Sequence, residues 1–286
     1  MVKKNLAASV RQRLLDLSRR DGQPFDVILV MYGLERLLYR LSMSDQRDRF
    51  VLKGGMLVSL WLDDEARVTR DIDFLGHGEA APDHLVAVFG EILNLPAEDG
   101  LTFDIDALNA QIINEEQEYD GVRIKTQAHL EQTRIPITID VGFGDALTEP
   151  GHELEYPSLL DLPSATIRSY PPVTVVAEKF QAIVNLGLAN SRMKDYYDLW
   201  ALTQQQPMAP DALMSAIEAT FARRETTVPV DAPTGLSSMF YQDPVKSAQW
   251  TAYAASIEME SLTLGDVVDS IWGYLAPVCN SIQHQG

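Results

Sequence analysis

Ile135-Pro136-Ile137-Thr138-Ile139-Asp140-Val141-Gly142 is the stretch on which the reading of this chain turns. Ile135, Ile137, Ile139 and Val141 alternate with Pro136, Thr138 and Asp140, the period of two that defines a β-strand. That period puts Asp140 on the face opposite the isoleucines. A carboxylate in an otherwise apolar strand is costly to bury without a partner, so Asp140 is a candidate for more than packing.

Working outward, two further features precede this strand. Phe50–Lys53 is a short apolar run that meets Gly54 and Gly55, and Met56–Leu62 then reads as the first turns of a helix. Asp71–Leu75 alternates charged and apolar residues as a short strand does, so Asp71 and Asp73 share a face while Ile72 takes the other. Two neighbouring carboxylates repel unless a cation sits between them. Mg²⁺, or Mn²⁺ in its place, is the natural ion, being hard and usually held by a few carboxylates plus substrate phosphates. Asp140 on a neighbouring strand would allow a second ion, and such a pair activates an attacking hydroxyl and steadies a leaving pyrophosphate. Glycines at a helix N-terminus let backbone N–H groups approach phosphates. Each piece alone is also met in ordinary structure: D-x-D as a solvated turn or strand edge, Gly-Gly as a turn. The ordered set, on the right elements, carries the functional reading.

The remaining elements follow from periodicity and breakers. Helical spacing covers 5–20 and 24–43, and 82–94 behind Pro82. Strands are expected over 101–106, 110–117, 120–129 and 134–142. Five prolines between 148 and 172 mark a connecting segment. Helices are expected over 174–189, 194–205, 210–224, 245–258 and 263–277, with a loop over 226–244. The fold class is therefore α+β: a domain of sheet and helices over 1–170 with a helical N-terminal extension, then a helical domain over 171–286.

Charge is unevenly spread. The net charge is −18; residues 1–60 hold 11 Lys+Arg against 6 Asp+Glu, and residues 61–165 hold 5 against 23. An acidic protein repels nucleic acid at long range, so a polynucleotide partner must meet a local basic surface, for which the N-terminal sixty residues are the best candidate. No apolar run reaches the roughly 18 residues of a membrane span, and the basic N-terminus lacks the apolar stretch of a secretory signal; a cytoplasmic location is expected. Cys279 is the only cysteine, which excludes an internal disulfide and a cysteine zinc cluster. His77, His84, His129, His152 and His284 have no ligand spacing and read as surface or loop residues. No G-x-x-x-x-G-K-[ST] or G-x-G-x-x-G motif occurs.

The order GG, D-h-D-h, h-D-h, with h apolar, resembles the nucleotidyltransferase superfold shared with DNA polymerase β. More narrowly, FVLKGGMLVSLW (50–61), TRDIDFL (69–75), YDGVRIKTQAHL (119–130), IPITIDVGFGD (135–145) and AEKFQAIVNLGLANSRMKDYYDLWAL (177–202) resemble the AbiEii-type nucleotidyltransferase toxins of bacterial type IV toxin–antitoxin and phage-defence pairs. The resemblance implies that Gly54 and Gly55 form the phosphate loop, that Asp71, Asp73 and Asp140 hold metal, and that Lys179 touches the nucleotide phosphates. Asp195 matches a later functional aspartate. Lys194 stands where the family often has arginine, keeping the charge but not the guanidinium fork, and Arg192 is the alternative source of that fork. It also implies an NTP substrate, a tRNA 3′ end as acceptor and a cognate protein antitoxin.

The residues themselves leave alternatives open. Lys179 shares helical spacing with Ile183 and Leu186, which also suits a snorkelling surface lysine. Lys194 and Asp198 are spaced i,i+4 and also suit a pair on a helix surface. Arg123, on a strand beside the acidic one, suits either a phosphate contact or an ion-pair partner of a site aspartate. Tyr119 reads as packing. Two other functions stay in view: an inactive nucleotide-binding module on the same fold, and transfer to a protein or small molecule.

Overall fold

The computed structural model describes residues 5–62, 68–114, 120–148 and 151–285, and the chain forms two compact units. The first holds residues up to Ser59, Val68–Gly144 and Gly151–Ser169; the second holds the remainder, chiefly from Tyr170 onward.

The first unit is built on a mixed sheet. Its helices are α1 (Leu6–Asp21), α2 (Phe25–Ser42), α3 (Gly55–Leu62), whose last turn belongs to the second unit, and α4 (Pro82–Leu93). Its strands are β1 (Phe50–Lys53), β2 (Ile72–Gly76), β3 (Thr102–Phe103), β4 (Asn109–Asn114), β5 (Asp120–Leu130), β6 (Thr133–Phe143), β7 (His152–Tyr156) and β8 (Ala165–Ser169). Among the described residues they run in the order β3-β5-β6-β2-β1-β8-β7, with β4 also pairing β5. The pairs β2–β6 and β1–β8 are parallel and the others antiparallel.

One face of the sheet is covered. Ile135, Ile137, Ile139 and Val141 are buried on it, and α2 lies close because Gly33 has no side chain: a β-carbon there would come within 2.8 Å of Ile137 Cδ1. Leu34, Leu37, Leu38 and Leu41 of α2 are fully buried, each stabilising the fold by roughly 1.5–3 kcal/mol. Phe50 of β1, Phe74 of β2 and Phe89 of α4 pack with ring centroids 5.0–6.3 Å apart. Strand alternation turns Asp73 and Asp140 to the other face. Pro136 is tolerated because β2 begins its pairing with β6 only at Ile139.

A buried ion pair ties α2 to the segment after α4. Arg40 Nη1 stands 2.5 Å and Nη2 3.2 Å from the Asp99 carboxylate, with both side chains almost wholly buried. Tyr32 donates its hydroxyl proton to the Asp99 carbonyl at 2.7 Å.

The second unit is helical: α5 (Pro172–Leu186), α6 (Met193–Gln205), α7 (Pro210–Arg223), α8 (Ser238–Tyr241), α9 (Pro244–Ser256) and α10 (Leu264–Gln285). Helix α5 packs against α6 and α7, and α10 packs against α6 and α7. Arg224 ties the unit together: it donates to Gln181 Oε1 at 2.9 Å and Asp145 Oδ1 at 3.1 Å, and lies 3.8 Å from Glu178.

The chain departs from the expected elements in several places. The segment 148–172 is more than a connector: it holds β7 and β8, which the prolines flank rather than interrupt, and β8 extends the sheet beside β1. Helix α10 runs through Pro277 to Gln285, because an apolar face of Val267, Val268, Ile271, Leu275 and Cys279 continues past the proline. The expected loop 226–244 contains α8. The strand expected over 101–106 shrinks to Thr102–Phe103, the chain turning away after Asp104, whose carboxylate caps the Ala107 N–H at 3.1 Å. Positions 115–117 of the strand expected over 110–117, and Tyr119, lie outside the described residues.

Candidate active site

Strand register assembles the site. Lys53 of β1 is the Cα partner of Asp73 on β2, Asp73 is the partner of Asp140 on β6, and Asp140 is the partner of Arg123 on β5. Four strands thus contribute one transverse row with the charge order plus, minus, minus, plus. Side chains opposite one another on adjacent strands share a face, so the row is a single polar stripe on the face turned away from Phe74 and the isoleucines.

Asp71 stands one residue before β2, not within it. The pairing of β2 with β6 begins at Ile72, and Thr69 holds the preceding turn by donating its hydroxyl to Asp71 Oδ1 at 2.6 Å. Asp73 is the most perturbed carboxylate of the stripe. Its pKa is pushed up to about 6, first by desolvation, then by the neighbouring charge of Asp71 and, less strongly, of Asp140; Lys53 and the Gly55 N–H oppose the shift. That N–H points at Asp73 Oδ2 over 3.4 Å.

Gly54 is required at this place twice over. Its φ of +71° is strained for other residues. A β-carbon on it would also come within 2.8 Å of Asp73 Cβ and closer still to the carboxylate. The Gly54–Gly55 turn therefore lies directly over Asp73, with α3 starting from it.

Asp140 is gripped by Arg123 in a two-bonded pair: Nε to Oδ1 at 2.8 Å and Nη2 to Oδ2 at 2.6 Å. Such fork-on-carboxylate pairs are strong and directional. The hydrogen bonds to Asp140, with its charge and those of Asp71 and Asp73, raise the guanidinium pKa further, so Arg123 is always a cation. Of the two roles open to Arg123 in the sequence, the structure has the ion-pair partner.

The second unit carries its own ionic cluster. Lys179 of α5 pairs with Asp195 of α6, and its Nζ lies 2.9 Å from Asp198 Oδ2. Lys179 and Asp195 are only 15% and 18% exposed and Asp198 is fully buried. Lys179 is therefore no snorkelling surface residue, and Asp198 does not lie on a helix surface as the spacing from Lys194 had suggested. Asp198 points inward because its neighbours Tyr197 and Leu199 are themselves buried in the α6 core face. Lys194 is half-buried, and Arg192 is exposed at the N-cap of α6.

The donor set suits a divalent cation at Asp71 and Asp73, whose crowded negative charge one ion would relieve. Asp140 adjoins that pair, but both its oxygens already meet Arg123. Among the described residues, no three His, Cys, Asp or Glu side chains are grouped as ligands of a single ion.

The N-terminal arginines are largely engaged within the protein. Arg36 and Arg40 are buried with Glu35 and Asp99, Arg13 donates to the Leu160 carbonyl, and Arg47 pairs with Glu153. No helix among the described residues is long and apolar enough to cross a membrane. Of the histidines, His84 meets Arg49 at 3.0 Å and is half-buried, and the others lie in exposed or half-exposed positions.

Sequence reasoning assigned no role to Lys53, Thr69 or a buried Asp198. The signal for Lys53 was its place immediately before Gly54, at the end of the strand that faces D-x-D.

Comparison with known proteins fits this geometry. The model of the AbiEii nucleotidyl transferase toxins, type IV toxin–antitoxin system, matches residues 36–274. The chain belongs to the AbiEii nucleotidyltransferase toxin family. Accordingly it is a nucleotidyltransferase of the toxin type, and its family implies an NTP substrate and an antitoxin partner. No curated protein matches it. Among solved structures it is similar to JHP933 from Helicobacter pylori, at 13% identity and a TM-score of 0.47 over 88% of this chain and 92% of that one. It is also similar to an H. pylori protein provisionally named a nucleotidyltransferase, at 14% identity and a TM-score of 0.45 over 88% and 93%.

Proposed function

We propose that this toxin uses Mg²⁺ to transfer a nucleoside monophosphate from an NTP to the 3′-terminal hydroxyl of an RNA, with tRNA as the acceptor, and that it serves in phage defence. One observation carries the chemical part: Asp73 and Asp140 are partners on adjacent strands, beneath the Gly54–Gly55 turn and beside Asp71. Asp71 and Asp73 hold the ion, which would polarise the phosphoryl oxygens and lower the barrier by several kcal/mol. The N–H groups after Gly54 approach the triphosphate. Asp140 completes the acidic stripe. Lys179 and Asp195, flanked by Arg192 and Lys194, are given a part in nucleotide handling because they match the family motif and form a half-buried ion pair.

The test is direct. The purified protein is incubated with each labelled NTP, Mg²⁺ and total tRNA, and label on RNA is followed. Transfer that needs Mg²⁺ and disappears in Asp73→Asn supports the reading. Label on protein or on a small molecule instead would move the acceptor to that class, which the net charge of −18 and the internally paired arginines favour as the second reading. NTP binding with no transfer to any acceptor would mark an inactive binding module.

A further inference from the structure

We infer that Arg123 takes, as a permanent cation, the position at Asp140 that a second divalent ion would need, so that the site loads one divalent ion, at Asp71 and Asp73. This rests on the Mg²⁺ reading above and narrows it.

Three observations support the assignment. Both Asp140 oxygens accept from the guanidinium, at 2.8 and 2.6 Å. The pairing is built into the sheet, since Arg123 and Asp140 are direct partners across β5 and β6. It is also well shielded on the acid's side, the Asp140 side chain being 12% exposed against 35% for Arg123. Water therefore reaches the arginine more readily than the carboxylate it holds. Charge bookkeeping agrees. Lys53, Asp73, Asp140 and Arg123 cancel, and Asp71 leaves the site one negative charge. A second ion at Asp140 would have to share its carboxylate with the fixed positive charge of Arg123. Arg123 is then a positioning residue: it holds Asp140 and supplies the cationic edge of the stripe.

The experiment counts ions rather than turnover. Mn²⁺ bound per full-length protein is measured by electron paramagnetic resonance, in the presence of a saturating non-hydrolysable NTP analogue and with the ion bound by free analogue subtracted. The wild type is expected to bind one ion. Asp140→Asn is expected still to bind one, whereas Asp73→Asn should lose it. Arg123→Gln is expected to gain a second ion, and Arg123→Lys, the charge-keeping control, to stay at one. Two ions in the wild type, falling to one in Asp140→Asn, would overturn the inference and leave the Mg²⁺ reading standing. No ion in the wild type would overturn both. One ion in a folded Arg123→Gln would also overturn it, because something other than the arginine then excludes the second.

Discussion

Gly54 sits so close over Asp73 that the two cannot both carry full side chains. A β-carbon on the glycine would meet the carboxylate, and the glycine's φ of +71° disfavours any other residue. Gly54→Ala is therefore expected to cost about 1–3 kcal/mol in stability and to displace Asp73. Nucleotide transfer should fall by at least tenfold while the protein remains folded, as checked by circular dichroism alongside the transfer assay. Activity within twofold of wild type would show that the turn does not set the Asp73 position.

Asp73 links the site to pH. Its folded pKa of about 6 lies above the ordinary carboxylate value, so between about pH 4 and 6 the folded protein keeps a proton that the unfolded chain has released. Stability in the absence of metal should consequently fall as pH rises through that window, by up to roughly 3 kcal/mol for the whole shift. Asp73→Asn should remove this slope and stabilise the metal-free protein near pH 7. Thermal unfolding across pH 4–8 measures both effects; a variant with the wild-type slope would assign the slope elsewhere.

The same crowding predicts a metal response. Added Mg²⁺ or Mn²⁺ should raise the wild-type melting temperature more at pH 7.5 than at pH 5, where Asp73 is largely protonated. Asp73→Asn should show little response at either pH.

Lys179 faces two aspartates, one of them fully buried. Lys179→Ala removes that counter-charge from Asp198 and is expected to destabilise the second unit by about 3–5 kcal/mol. Lys179→Ala with Asp198→Asn should recover part of the loss in urea titrations. Equal stability of Lys179→Ala and the double variant would show that the charge of Asp198 is not what the loss of Lys179 leaves uncompensated.

In the first unit, Asp99→Ala leaves the buried Arg40 guanidinium without its carboxylate. A loss of about 3–5 kcal/mol is expected, measured as a shift of the urea midpoint. Nucleotide affinity per folded molecule should be unchanged, since neither residue belongs to the stripe.

How much of this was legible before the fold was known differs by element. The β6 alternation placed Asp140 opposite the isoleucines correctly, because a half-buried strand writes its two faces into a period of two. Arg123 was legible as a neighbour of the acidic strand, but its partner was not, since register across strands is set by the whole sheet. Lys53 went unassigned for the same reason. Strands β7 and β8 were hidden by five prolines nearby, a signal of local turns that says nothing about pairing with β1 far back in the chain. Asp71 was read one position too far into its strand; Thr69 and the start of β6 pairing decide that boundary. The passage of α10 through Pro277 reflects tertiary burial overriding a local breaker.

The order of strands also bears on when the enzyme can become dangerous to the cell that makes it. Asp73 meets Asp140 only after β6 has been synthesised, and β1, which carries Lys53 and leads into the glycine turn, gains its outer neighbour β8 later still. A growing chain thus leaves the ribosome with its acidic residues unassembled, and a product ending before β6 lacks Asp140, the partner of both Asp73 and Arg123. The row of partners on β1, β2, β6 and β5 exists only in the finished first unit.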